Sequence, residues 1–495
     1  MPDNSDLNQL KKRSVRGGVI TLVSQAFTVI MQLASTVVLA RMLTPDDYGV
    51  MGMVLSFVAL AALFKDLGLS SAAIQKANLT TDQQTNLFWI NALFGLLLSA
   101  IVAAAAPLVA WFYGRPELVA MTWILSLTFL FGGLSAQHNA MMVRNMHFGR
   151  QGIVNIAGIA VTFAVSVSLA WLGYGYLALA WGHVAGAAGR ALLIWSFSPF
   201  VPGRWTRLAG TKDMVKFGAN VTGFNIVNYF SRNLDNILIG KFVGADALGV
   251  YGRAYQLMLF PIQNLRGPID AVAYPAMCRL KDRPEDWRRY HMQTLRVLAF
   301  LSMPLVAWMF LVSEPLILGL LGDKWAGVVP IFRILAIVGF IQPSASMIGS
   351  VMLSMGHTRR YFLQGAVVAA VLALAFGIGI RWGAEGVAWA YVAAVYVALV
   401  PLLANGYRHT ALTVVDFFES VSLPAVISIV SLAISLLAQR YLSFSGFLAE
   451  IISLTLVYWV TFLALMIASP GGRGLLVDAA SYARAAVFRR GPKPL

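Results

Sequence analysis

Asn225, Asn228, Arg232 and Asp235 stand three, four and three residues apart. On a helix that spacing puts them on one face. Two amides, a guanidinium and a carboxylate in a row can grip a polar head group or hold a cation at the acid. Alternatively, Arg232 and Asp235 can simply neutralise each other. Two hundred residues earlier the same register reads Gln25, Thr28, Gln32 and Ser35, and a neighbouring apolar segment carries Arg253, Gln256, Gln263, Arg266 and Asp270. Together with Arg16, the arginines outnumber the acids. A guanidinium is always charged and matches phosphate as a planar fork, so the set suits an anionic group such as a lipid pyrophosphate and suits a cationic drug poorly. The substrate candidates are Arg16, Arg232, Arg253 and Arg266. Gln25, Gln32, Asn225, Asn228 and Gln256 form a polar lining, with Asp235 and Asp270 as the acids beside it. A structural ion pair is the competing reading for Arg232 with Asp235 and for Arg266 with Asp270. Tyr229, Phe230, Tyr251 and Tyr255 can stack on sugars or serve only as packing.

The elements that position these groups must be membrane helices. Of 495 residues, 59% are hydrophobic and 12% charged, where a soluble domain carries about 25% charged residues. Apolar runs cover 17–42, 47–67, 84–112, 118–138, 149–172, 176–198, 214–241, 247–276, 292–313, 327–353, 361–381, 384–407, 417–438 and 446–468. Each is long enough for a hydrocarbon core that needs about 20 residues. The runs are continuous rather than alternating, which excludes a transmembrane β-barrel. The first run is too long for a signal-peptide core and reads as a retained span. Lys and Arg crowd the loops on the N-terminal side, whereas the opposite loops hold only Arg41, Arg115, Lys241, Lys324, Arg381 and Arg440. That bias places both termini in the cytoplasm. It also accounts for the net charge of +16 without nucleic acid, through topology and contact with anionic membrane lipids. Leu476, Ala480, Ala483 and Val487 give the basic tail 469–495 an amphipathic character suited to the membrane surface.

An internal repeat organises the spans. At an offset of 200, Arg41 meets Lys241, Asp46 meets Asp246, and Gly49, Val50 and Gly52 meet Gly249, Val250 and Gly252. The segment Arg144–Arg150 resembles Gly356–Tyr361. An even number of spans between equivalents predicts two parallel six-helix lobes, 1–198 and 214–408, related by a pseudo-two-fold along the membrane normal around a central cavity. A cytoplasmic linker, 199–213, joins them; 409–468 adds two helices. The expected fold is therefore all-α and polytopic, with about fourteen transmembrane helices.

No motif assembles a catalytic centre. The chain lacks a phosphate-cradling Gly-x-x-x-x-Gly-Lys, and its one cysteine and six histidines argue against a metal cluster. Thr44-Pro-Asp-Asp47 can be read as an acidic metal pair, but more simply as a helix start: N-cap, first-turn proline and two acids favoured by the helix dipole. His183 reads as a packed polar group.

Leu39-Ala-Arg-Met-Leu-Thr-Pro-Asp-Asp-Tyr-Gly49, Phe64-Lys-Asp-Leu-Gly-Leu69, Ala73-Ile-Gln75 and Leu321-Gly-Asp-Lys-Trp325, with the two-lobe repeat, resemble the bacterial polysaccharide flippases of the multidrug/oligosaccharidyl-lipid/polysaccharide (MOP) exporter superfamily. The likeness is to the Wzx-type branch of colanic acid and succinoglycan exporters. It implies no enzyme activity and no cofactor. It implies ion-coupled alternating access, driven by Na+, H+ or the membrane potential, that carries undecaprenyl-pyrophosphate-linked repeat units across the bacterial inner membrane; Asp235 and Asp270 are the candidate ion-coupling acids. Polysaccharide polymerase and export machinery are the implied partners. Two alternatives stand: a drug/cation antiporter of the same fold, and a membrane polymerase or glycosyltransferase.

Overall fold

A computed structural model of the chain describes residues 27–64, 70, 73–74, 79–206, 229, 233–441 and 446–477. Every element among them is helical. The helices are α1 (Phe27–Met42), α2 (Pro45–Ala62), α3 (Thr81–Ala104), α4 (Ala106–Tyr113), α5 (Leu118–Arg144), α6 (Phe148–Trp171), α7 (Tyr176–Phe197) and α8 (233–242). Then come α9 (Ala245–Pro261), a π-helical stretch Ile262–Arg266, α10 (Gly267–Leu280), α11 (Pro284–Leu311), α12 (Ser313–Leu321), α13 (Val328–Ala345) and α14 (Ile348–Ser354). The chain continues through α15 (Thr358–Gly379), α16 (Gly383–Tyr407), α17 (Val414–Tyr441) and α18 (Phe447–Ala468). Helix stands over the described part of each of the fourteen expected apolar runs, and nine of the described stretches are long and apolar enough to cross a membrane. α11 begins at Pro284, earlier than the apolar run beginning at 292, because Pro284, Glu285 and Asp286 make a favourable first turn.

By internal contact the chain forms two units, Met1–Gly249 and Val250–Leu495. The division falls inside α9, beyond the basic linker at which the repeat separates its lobes, because 233–249 packs on the first unit. The contact is backbone to backbone. A Cβ on Gly49 would lie 1.7 Å from the Ala245 carbonyl oxygen, and one on Gly249 would lie 1.9 Å from that of Pro45. Both pairs are related by the offset of 200, so the first turns of α2 and α9 meet through a local two-fold. Small residues also seat α6 against α7: a Cβ on Gly182 would lie 1.8 Å from Ser166 Oγ, and one on Gly186 1.9 Å from Thr162 Oγ1. Without a hydrophobic drive between helices in lipid, such close approach is what holds them.

The second unit buries Trp287, Leu298, Met303, Leu403 and Phe417 in one cluster. Arg288 grips Asp416 there with Nη2–Oδ1 at 2.6 Å and Nε–Oδ2 at 3.2 Å. The same carboxylate caps α17 by accepting from the Thr413 N–H.

One turn is built twice. Met146 (φ 57°) precedes His147 (φ −81°, ψ 48°), and Gly356 (φ 79°) precedes His357 (φ −82°, ψ 49°). Arg150 Nη1 donates to the Phe197 carbonyl at 3.1 Å, and Arg360 Nη1 to that of Arg408 at 3.1 Å. The left-handed residue favours glycine, and only the second copy supplies one. The resemblance of Arg144–Arg150 to Gly356–Tyr361 thus extends to backbone and hydrogen bonding.

Candidate functional site

Span 8 is one helical rod whose geometry changes midway. Pro261 offers no N–H, and the π-helical turn Ile262–Arg266 follows it. Such turns rotate the register of side chains and concentrate at functional sites. On the α9 side Arg253 Nη1 donates to Gln256 Oε1 at 2.7 Å. Gln256 and Gln263 are exposed and Arg253 is half-buried. A guanidinium and two amides cannot face hydrocarbon cheaply, so they mark a bundle interior or a wet cavity wall.

Arg266, the last π residue, is stapled to its surroundings. Its Nε donates to Asp270 Oδ2 at 2.9 Å and its Nη2 to the Ser346 carbonyl at 3.0 Å. Ser350 Oγ donates to Asp270 Oδ1 at 3.2 Å. Ser346 lies in the break between α13 and α14, so this network joins two interrupted spans. The Arg266 and Asp270 side chains are 29% and 23% exposed, so the pair can still be approached. Tyr251 and Tyr255 stack at 6.0 Å, Tyr255 meets Tyr391 at 6.2 Å, and Gln342 Nε2 donates to the Tyr391 hydroxyl at 3.0 Å.

In the first unit Gln32 is exposed on α1. Asp235 is buried at 3% exposure, where its Oδ1 accepts from the Asn236 N–H at 2.8 Å. The Tyr229 hydroxyl donates to the Ser56 carbonyl, a packing role for that ring. Arg16, Gln25, Asn225, Asn228, Phe230 and Arg232 lie outside the described residues, so the stripe on span 7 is represented by Asp235 alone.

At the opposite end from the Lys/Arg-rich loops, Thr44 and Asp47 form a reciprocal cap, with Thr44 N donating to Asp47 Oδ2 at 2.9 Å and Asp47 N to Thr44 Oγ1 at 3.3 Å. Asp46 takes both Nη1 (3.0 Å) and Nη2 (2.9 Å) of Arg115. That hydrogen bonding is the main reason the Arg115 guanidinium is held above its ordinary value. The acidic pair is thus a helix start plus an ion pair. No group of metal-binding side chains occurs among the described residues. His183 Nδ1 lies 3.0 Å from the Leu179 carbonyl on its own helix.

Sequence reasoning passed over one cluster. Asn91 on α3, and Gln137 and His138 on α5, are 1%, 0% and 0% exposed. None of their six side-chain nitrogens and oxygens has a hydrogen-bond partner. The signal was present: three polar residues beside Gly95 and Gly133 in otherwise apolar spans. The distance of Asn91 from Gln137 and His138 in sequence concealed it.

The chain matches the family model described as "Polysaccharide biosynthesis protein" over residues 38–330. It is 28% identical over 442 residues to the teichuronic acid biosynthesis protein TuaB of Bacillus subtilis (strain 168), covering 87% of this chain and 91% of that one. It is 24% identical over 442 residues to the lipopolysaccharide biosynthesis protein WzxC of Escherichia coli (strain K12), covering 87% and 89%. The succinoglycan biosynthesis transport protein ExoT of Rhizobium meliloti (strain 1021) matches at 23% over 331 residues, covering 66% and 67%. Among solved structures, the lipid II flippase MurJ in an inward closed conformation superposes with TM-score 0.75 at 15% identity, covering 92% of this chain and all of that one. An inward-facing multidrug resistance MATE transporter of the MOP superfamily superposes with TM-score 0.63 at 13% identity, covering 78% and 97%. These neighbours share the fold. With the family model spanning more than half its length, the chain belongs to the polysaccharide biosynthesis protein family of multi-pass, all-α membrane proteins.

Proposed function

We propose that this protein is a flippase that moves undecaprenyl-pyrophosphate-linked oligosaccharide from the cytoplasmic to the periplasmic leaflet of the bacterial inner membrane, with both termini in the cytoplasm. The observation that carries the reading is the polar face of span 8. Arg253, Gln256, Gln263 and the partly open Arg266 lie within the apolar run 247–276, where lipid would be a prohibitive neighbour. The guanidinium of Arg253 and the free edge of Arg266 suit the pyrophosphate, while the acyl chain stays in the bilayer. Movement of the lobes 1–198 and 214–408 about the linker would expose the head group on the other side. Binding contributes only through a difference in affinity between the two states. Arg16 and Arg232 complete the proposed phosphate set, and Gln25, Gln32, Asn225 and Asn228 the polar lining.

The drug/cation-antiporter reading shares this fold. It fits less well because Asp235 is buried and Asp270 is engaged by Arg266 and Ser350. A transferase reading gains nothing from the relatives, whose names describe biosynthesis and transport proteins.

The test is the leaflet location of complete lipid-linked repeat units in cells depleted of the protein. Accumulation on the cytoplasmic leaflet supports the proposal. Arrival at the periplasmic leaflet at the normal rate, in cells with no second flippase, overturns it.

A further inference from the structure

The α3–α5 seam is the anomaly of the first unit. A Cβ on Gly133 would lie 2.5 Å from the Asn91 carbonyl oxygen, and one on Gly95 2.7 Å from that of Phe129. The helices therefore touch backbone to backbone. Gln137 lies one turn beyond Gly133, and Asn91 lies one turn beyond Phe88, whose ring stacks on His138 at 5.7 Å and 18°. Trp195 and Phe200 close the box around the imidazole at 4.5 Å and 5.3 Å. Six polar atoms without partners in a hydrocarbon-depth seam cost several kcal/mol if nothing ever meets them.

We propose that this seam is the proton-coupling site of the transporter, with His138 as the group that takes the proton and Asn91 and Gln137 as its amide partners; the proposal rests on the flippase reading above. The count of donors and acceptors carries it. Neutral imidazole has one N–H and one bare nitrogen, while imidazolium has two N–H groups. The seam holds two amide oxygens and two amide NH2 groups, all unengaged. In the neutral state an amide N–H can serve the bare ring nitrogen. After a hydronium gives its proton to that nitrogen and leaves as water, both ring N–H groups need acceptors, and the amides supply oxygens by turning over. The two ends of an amide are nearly the same shape, so this exchange needs no rearrangement of the packed glycine crossing. The stacked Phe88 face adds a cation–π term for the charged ring.

Among the described residues, the charged and titratable groups of the elements that flank the seam are engaged or turned away. Asp82 and Arg204 are exposed. Arg144 Nη1 donates to the Ala73 carbonyl and Arg150 Nη1 to that of Phe197. Arg190 packs over Gly158, His183 lies against Leu179, and Tyr176 begins α7 at its far end. The site also touches the segment that leads to the second lobe. Phe200 covers the imidazole, while Thr206 N and Oγ1 donate to Asn86 Oδ1 at 3.1 Å each and Trp89 Nε1 donates to the Gly203 carbonyl at 2.9 Å. A change of charge at His138 is therefore felt first where the linker leaves the first lobe.

The test uses the full chain in proteoliposomes with an imposed pH gradient. The probe is the lipid-linked oligosaccharide extracted from cells depleted of the protein. The wild type should flip it with an initial rate that the gradient changes by about five-fold or more. His138→Gln should flip it at a rate that ignores the gradient. A His138→Gln response equal to the wild-type one overturns the coupling site while leaving the flippase intact. A response to a Na+ gradient with none to pH overturns it as well. Failure of the wild type to flip sinks the flippase reading itself, a separate result. If His138→Gln does not fold, the imidazole is read directly. With six histidines, the 15N resonances of the wild type in nanodiscs can be assigned by single substitutions of the other five. Protonation of the remaining resonance as the pH is lowered from 8 to 3 is expected, and its absence overturns the proposal.

Discussion

Two polar regions inside the spans solve the burial of polar groups in opposite ways. In the second unit Arg266, Asp270, Ser346 and Ser350 form a hydrogen-bonded network around an ion pair. In the first, Asn91, Gln137 and His138 stand buried and unpartnered beside a glycine crossing. The charged groups are paired because a permanent unpaired charge in the interior costs about 3–5 kcal/mol. Neutral amides and an imidazole can be left unmet at a smaller cost, which other packing offsets. The lesson is that pairing signals structural restraint, whereas tolerated vacancy in a helix seam signals a group waiting for a partner.

The comparison breaks most sharply at the crossing that keeps the seam closed. Gly133→Val should lose about 4 kcal/mol or fail to accumulate, since its Cβ meets backbone on the neighbouring helix rather than a movable side chain. Thermal unfolding in nanodiscs reads this. Normal stability would show that the helices can separate at no cost.

Arg266→Met should cost about 2–3 kcal/mol by stranding Asp270, discounted for a pair still partly exposed. The double change with Asp270→Asn should recover most of that stability in a double-mutant cycle. No recovery would mean the two act separately. Arginine at 266 should also be needed for flipping even when stability is restored, if it touches the pyrophosphate.

Gln137→Leu should go the other way. Removing an unmet buried amide should raise stability by about 1 kcal/mol while weakening the response of flipping to a pH gradient. Loss of stability on that change would show that Gln137 has a structural partner, and would erase the contrast between the two regions.

The smallest expected effect lies in the twice-built turn. Burial first, then Arg360, His409 and Lys281, push the His357 imidazole below its ordinary value. The unfolded chain then binds more protons near that value, so stability falls as pH drops from about 6.5 toward the lowered folded value. His357→Asn should flatten that slope slightly in thermal scans at pH 5 and 8. An unchanged slope would place the dependence elsewhere.

Much of this was legible in the residues. Continuous apolar runs determine where the spans lie, because a hydrocarbon core admits only helices that satisfy their own backbone. The offset of 200 marked Gly49 and Gly249 as equivalent, and the Thr44-Pro-Asp-Asp47 start was recognisable from capping chemistry alone. Arg266 and Asp270 were visible as an i,i+4 pair because both fall on a single helix. What periodicity cannot convey is contact between helices. The glycine crossings, the Arg115 clasp on Asp46, the Arg288–Asp416 pair and the stacking of Phe88 on His138 all join residues distant in the chain. The sequence by itself determined the membrane, the number of spans and the sites where charge is placed, since those follow from local transfer energies. Tertiary structure alone decided which polar groups meet and which remain unmet, since that depends on how closely two backbones approach.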